Sequence, residues 1–362
     1  MAGKRHHYIA KFLLRRFAEK SGPREGLVWR LDKKTGQPRA VAPKYEAALP
    51  HYYRLEREDG STDSCPEDIL ARIESGAAAA LQRVERGEVP SDEDRTWLAL
   101  FVLFQHRRTP SARESLKFFD ELMAEMTTEV DLGNAESFER RARAADPDMS
   151  ADEIEQVRLE LLADLQAGRI KLGSTPSREI AFMFIATEKV AEQLVTGFTW
   201  AVFRAPADAE FVLPGLGITL HDPTPPFPES GLGFASSPNA ETVMPMDPTL
   251  AIALTPGPAT WKDVAVDAGA VTEINLRAYA WSDTCLYGAS QKIVTDLRAS
   301  ARAKRAEVAR FAPRPARLWV TESAAGPRTG EFEFVGHSPT GTARRRFVIE
   351  EGAFDGMEPY RG

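Results

Sequence analysis

Two histidines stand side by side near the start of this 362-residue chain, His6 and His7, out of only six in all. Imidazole exchanges protons near neutral pH and ligates metals, so an adjacent pair ahead of a helix is the first candidate for chemistry. If the helix begins near Ala10, both rings lie just upstream of its N-terminus, where free N–H groups favour an anion. If it begins earlier, His6 joins the apolar stripe and becomes a hydrogen-bonded core residue. Glu74 is the second candidate, a carboxylate at the edge of an apolar helical face. Such a group needs a cationic partner, or acts as a base or ligand, because burying it bare is costly. Gln105, Arg107 and Arg108 form a donor-rich tip that can clamp a phosphate or neutralise a helix C-terminus. Asp222, following His221, offers a further carboxylate for acid–base work or for Mg²⁺, Mn²⁺ or Zn²⁺, against the commoner role of aspartate in a turn. Asn275 and Gln291 are weaker candidates. No dinucleotide fingerprint, phosphate loop, zinc-protease or nucleophile-elbow motif is present, and Gly215-Leu216-Gly217 is only a two-glycine fragment.

The elements that must hold these side chains follow from periodicity. Ile9, Phe12, Leu13 and Phe17 form a helical stripe. Leu27–Leu31 and Arg39–Ala42, around a Gly/Pro turn, predict a hairpin, and 51–55 a further strand. Ser64 and Pro66 open a helix whose face is Ile69, Ile73, Ala77, Ala80 and Val84. Ser91 and Asp94 start the next one, where Trp97–Phe104 is apolar on every side and must be buried. A third helix fits 111–128, a capping box at Ser150 and Glu153 begins another, and Pro176 begins one reaching Gly197. After that come short apolar runs at 200–204, 210–213, 218–221, 242–244 and 250–254, separated by Pro and Gly. Helices return at about 271–281 and 290–311, and a tail from Pro313 holds strand candidates at 317–321, 331–335 and 346–350.

The expected fold is therefore α+β. A mainly helical half, 1–197, packs on a mixed or antiparallel sheet from 198 to 312 as one integrated unit, and 313–362 form a β-rich tail. Hydrophobic content of 43% and charged content of 27% are ordinary for a globular protein. No apolar run reaches the roughly 20 residues a membrane helix needs. With only Cys65 and Cys285, neither a disulfide framework nor a cysteine zinc site is available, and the cytoplasm is the expected location. The net charge of −7 conceals an asymmetry: 1–44 carry twelve Lys/Arg against three acids, while 129–165 carry eleven acids against four arginines. The basic end suits an anion or nucleic acid, or docks onto the acidic face of the body.

His6-His7-Tyr8-Ile9-Ala10-Lys11-Phe12 resembles the opening of the bacterial DUF4238 family, a His-His-Tyr-x-Pro-x-Phe-type run before a helix. Val28–Gly36 resembles that family's first hairpin, Ile73-Glu74 and Gln105–Pro110 its central helical signatures, and 236–241 and 244–248 its later strands. The likeness covers most of 4–300. It implies a fold rather than an activity, since the family carries no assigned function. Two positions depart from the pattern: Ala10 stands where relatives carry proline, and Phe211–Gly217 lacks the acid of a Ser-Asp-x-Pro turn, leaving Asp222 as the nearest substitute.

Two functions are consistent with these residues. One is a hydrolase of phosphodiesterase or nuclease type, with His6 or His7 as acid–base or ligand, Glu74 and Asp222 as carboxylates, Arg107 as phosphate clamp and a divalent metal as candidate cofactor. The other is a non-catalytic module that binds an anionic ligand, nucleic acid or a partner protein through the basic N-terminus.

Overall fold

The computed structural model describes residues 5–56, 61–170, 172–222, 238–311, 330–338 and 341–349. In chain order the elements are β1 (Arg5–His7), α1 (Lys11–Arg16), β2 (Val28–Asp32), β3 (Pro38–Val41), β4 (Ala48–Pro50), β5 (Leu55–Glu56), β6 (Thr62–Asp63), α2 (Cys65–Glu85) and α3 (Asp92–Arg107). Then follow α4 (Pro110–Gly133), α5 (Ala135–Ala145), α6 (Ala151–Gln166), α7 (Pro176–Phe184) and α8 (Thr187–Thr196). The strand-rich part contains β7 (Phe198–Arg204), β8 (Leu213–Pro214), β9 (Thr219–His221), β10 (Glu241–Asp247), β11 (Leu250–Pro256), β12 (Trp261–Ala265), α9 (Ala268–Trp281), β13 (Cys285–Gly288), α10 (Gln291–Ala303), α11 (Arg305–Phe311), β14 (Gly330–Ser338) and β15 (Gly341–Ile349). The fold is α+β. It falls into two compact units, 1–113 with 183–362, and 114–182, the chain passing between them within α4 and α7.

In the larger unit, β12, β7, β11, β10 and β9 form a five-stranded mixed sheet. Only the β12–β7 pair is parallel. A second sheet, in the order β3-β2-β13-β8, joins the early hairpin to strands some 180 and 250 residues later. The change of character at 197 is thus no boundary in space. Helix α9 serves both sheets: Leu276 and Ala278 pack with Trp29, Leu31 and Leu286, while Val271 and Ile274 pack with Phe211, Val243 and Ala251. Its Asn275 is spent on structure, accepting from the Val212 N–H and donating to the Glu210 carbonyl.

The capping box at Ser91 and Asp94 forms, and α3 buries Leu98, Ala99, Phe101, Val102, Leu103 and Phe104. Burial of each of these side chains other than Ala99 contributes about 1.5–3 kcal/mol. Four local expectations differ. Trp97 and Leu100, on the helix expected to be buried on every side, are only half-buried. Residues 51–53 turn rather than extend, with His51 at φ 51°, which brings Tyr53 back over β1. The helix expected from Pro176 to Gly197 breaks at Ala186, a left-handed residue at φ 52°. The segment 290–311 breaks at Lys304 into α10 and α11.

In the smaller unit α5 and α6 pack together, α6 opening on the Ser150–Glu153 capping box. Ile154 and Leu132 are buried, and the Arg178 guanidinium, with Nε 2.9 Å from Asp120, holds that carboxyl below the usual carboxylate range. Of the expected tail strands, 331–335 and most of 346–350 fall on the β14–β15 hairpin, whereas 317–321 lie outside the described residues. No described helix is long and apolar enough to cross a membrane.

Candidate functional site

The histidine pair lies on a strand. β1 pairs antiparallel with β4, His6 opposite Leu49 and His7 opposite Ala48, so successive side chains point to opposite faces. His6 is 5% exposed and stacks on Tyr53, rings 5.6 Å apart and 9° from parallel. Its Nδ1 accepts the Tyr53 N–H at 2.8 Å, so its proton sits on Nε2, which lies 3.4 Å from Glu67. His7 is half-buried, with Nε2 3.2 Å from the Pro43 carbonyl. A carbonyl only accepts, so this contact places the proton of the neutral ring on Nε2 and the lone pair on Nδ1. Burial pushes His7 below the ordinary imidazole range, while the Pro43 carbonyl and Glu74 pull it back upward.

Behind the pair stands the end of α3. Gln105, 0% exposed, accepts the Ala10 N–H, donates to the Tyr8 carbonyl at 2.9 Å and accepts from Arg108 Nε at 3.1 Å. Arg108, 1% exposed, sends Nη1 to Glu74 Oε1 at 2.6 Å and lies over the Phe101 ring. Ala10 caps α1 at φ −51°, an angle proline also holds. With alanine there, the backbone keeps the N–H that Gln105 receives.

A small cleft of about 120 Å³ lies here, lined by Arg5, His6, His7, Lys11, Tyr53, Glu67, Glu74 and Arg108. Four of the expected site residues, His6, His7, Glu74 and Arg108, therefore line one cleft. Gln105 stands behind them, spent on backbone and on Arg108. Arg107 does not reach the cleft. Its guanidinium binds the carbonyls of Met183 and Ile185, at 3.1 and 2.6 Å, where α7 ends. Asp222 is not among the walls either: it follows the edge strand β9 and is buried there. His221 beside it meets Phe311 edge-on, and burial with the nearby Arg277 pushes its ring down to about 4. Among the described residues no group of three or more His, Cys, Asp or Glu side chains is placed to hold a metal ion, so the divalent ion considered from sequence finds no ligand set in this cleft.

Sequence reasoning missed Arg5, Lys11, Tyr53 and Glu67. Glu67 and Glu74 are seven residues apart, two turns along one face of α2, which was a readable signal. Tyr53 was hidden by reading 51–55 as a strand.

Much of the basic N-terminal charge is already satisfied. Arg16 pairs with Glu85 and Asp247, Arg30 with Glu46, and Lys33 donates to the carbonyls of Tyr279 and Ser282.

With this geometry in place, comparison with known proteins is specific on one point: the model of the family described as protein of unknown function (DUF4238) matches residues 5–292, and the chain belongs to that family. No curated protein and no solved structure matches it.

Proposed function

We propose that the cleft at His7 receives a phosphate-bearing anion and that His7 exchanges a proton with it, the arrangement of a hydrolase of phosphodiesterase type. The observation that supports this is the placing of His7: half-buried, fixed in one tautomer by the Pro43 carbonyl, and sharing a small cleft with Lys11, Arg108 and Glu74. A ring held neutral at pH 7, with Nδ1 unprotonated, can take a proton from an attacking hydroxyl or water and return it to a leaving oxygen. Lys11 has no ion-pair partner among the described residues, so it is the cation that meets the anion, with Arg108 behind it as a fixed charge. The cleft's volume suits one charged group rather than a whole nucleotide.

One observation favours the non-catalytic reading. Arg108 has already committed its fork to Glu74 and Gln105, and Arg5 donates to the Ala48 carbonyl at 2.7 Å, which leaves Lys11 as the mobile cation for recognition and none dedicated to developing charge. Turnover separates the two. The full chain is assayed with bis(p-nitrophenyl) phosphate and a short single-stranded RNA, with inorganic phosphate as competitor. Hydrolysis that falls on the order of 10²–10⁴-fold in His7→Ala supports the enzyme. Phosphate binding without turnover leaves the binding module, and neither binding nor turnover removes both.

A further inference from the structure

We infer that a second cavity, on the opposite use of α2 and α3, is a binding site for a single-chain amphiphile with an anionic head, a long-chain carboxylate being the simplest member of the class. The sequence of α3 demands burial on all sides, yet Trp97 and Leu100 are only half-buried. Both line a cavity of about 630 Å³ with Ile69 and Ile73 of α2, Phe104 of α3 and Phe184 at the end of α7. That volume lies within the roughly 300–1,000 Å³ of small-molecule sites, which bury an apolar body and orient it with few polar groups. The helices are built to leave this space. A side chain at Gly76 would collide with the Trp97 ring, so glycine lets the indole lie flat on α2 as one wall.

Charge at the rim selects the head group. Arg72 and Lys189 stand at the mouth and neither has an ion-pair partner among the described residues, while Glu188 is the one acid beside them. The balance is one positive charge. The same wall carries the start of α8, whose N-cap Ala186 is left-handed and supplies no side-chain cap, so its dipole adds to the attraction for an anion. An apolar trough with a net cationic mouth matches an alkyl chain ending in carboxylate and disfavours both a neutral lipid and a cationic one. This site shares no lining residue with the His7 cleft, so its occupancy is independent of the hydrolase reading.

The test uses the full chain and two probes, dodecanoate and dodecanol, followed by calorimetry. One dodecanoate per chain is expected, bound about tenfold more tightly than dodecanol. The double variant Arg72→Gln/Lys189→Gln is expected to lose that tenfold for the acid and leave the alcohol unchanged. Leu100→Trp, which fills the trough, is expected to abolish both, and far-UV circular dichroism with a cooperative urea transition reports whether that variant is folded. Leu100→Met serves as the conservative control and keeps binding. Equal affinity for acid and alcohol, or dodecanoate binding that survives Leu100→Trp in a folded chain, overturns the proposal. So does a concentration-dependent dimer that dissociates in Leu100→Trp, because a second copy then occupies the trough. Failure of the parent to bind dodecanoate overturns it as well.

Discussion

Arg108 Nη1 and Glu74 Oε1 lie 2.6 Å apart across thirty-four residues of sequence, and the guanidinium is almost wholly enclosed while the carboxylate still touches solvent. A charge as buried as Arg108 is tolerated only with its partners in place. Glu74→Gln keeps the shape and removes the charge, so it is expected to destabilise the fold by about 1–3 kcal/mol. Arg108→Lys is expected to cost at least as much, because a lysine cannot serve Glu74 and the Gln105 carbonyl together through a fork. Urea unfolding of each variant measures this, and a Glu74→Gln protein as stable as the parent would show the pair to be incidental.

The second prediction concerns Gly217, a residue remote in sequence that supports the same cluster. It adopts φ +78°, a region costly for any residue with a Cβ. A methyl there would also lie 2.5 Å from Gln105 Cγ. Gly217→Ala is therefore expected to lose at least 2 kcal/mol (roughly 1–2 from the backbone, the rest from displacing Gln105). Since Gln105 holds Ala10, Tyr8 and Arg108, amide exchange of Ala10 should quicken in this variant more than that of α9. Uniform exchange across the protein would refute the coupling.

That coupling shows what sequence can and cannot reveal. Elements set by local chemistry were legible: the Ser91 and Ser150 capping boxes, the β2–β3 hairpin, and the all-apolar run of α3 each depend on neighbours within a few residues. The pairing of β2 with β13 was not, because Cys285–Gly288 is only four residues between polar turns, with too few side chains to display a period of two. The left-handed Ala186 was likewise invisible, since alanine rarely adopts that conformation, and histidine, although enriched there, does so too seldom for His51 to announce it. At the site, residue types pointed correctly to a carboxylate needing a cation. Which arginine turned inward was decided by the α3 terminus, where adjacent positions differ by about 100° around the helix. Arg108 faces Glu74, and Arg107 faces the end of α7.

The third prediction is a stability profile in acid. His221 and His106 are both pushed down to about 4, chiefly by burial, and His7 is lowered in the same direction. A histidine with a depressed folded pKa is neutral in the native state while the unfolded chain binds a proton near 6.5. Between pH 6.5 and 4 the unfolded state thus holds more protons, and stability falls as pH falls. Each such histidine adds a slope of up to about 1.4 kcal/mol per pH unit within that window. His221→Gln should reduce the slope by up to one proton and leave stability above pH 7 less pH-dependent than stability below it. Equal slopes in parent and variant, from denaturant midpoints at pH 4.5, 5.5, 6.5 and 7.5, would place His221 outside the titration.

The last prediction separates His6 from His7. They are adjacent on β1, and an extended chain sends neighbouring side chains to opposite faces. His6 is wedged between the Tyr53 backbone, the Tyr53 ring and Glu67. Removing it leaves the Tyr53 N–H without its acceptor and opens a cavity under a stacked ring, so His6→Ala is expected to cost about 2–4 kcal/mol. His7 is half-solvated and gives up one contact, that to Pro43, so His7→Ala is expected to stay within about 1 kcal/mol of the parent. Function should divide the other way. His7→Ala at full stability loses turnover or the pH dependence of phosphate binding, whereas His6→Ala, assayed at a temperature where it remains folded, keeps both. His6→Asn offers an intermediate test, because its side-chain oxygen can accept the Tyr53 N–H and should recover part of the lost stability. If His6→Ala and His7→Ala both fold and act like the parent, the pair has no role in the cleft, and the proton-exchange reading of His7 falls with it.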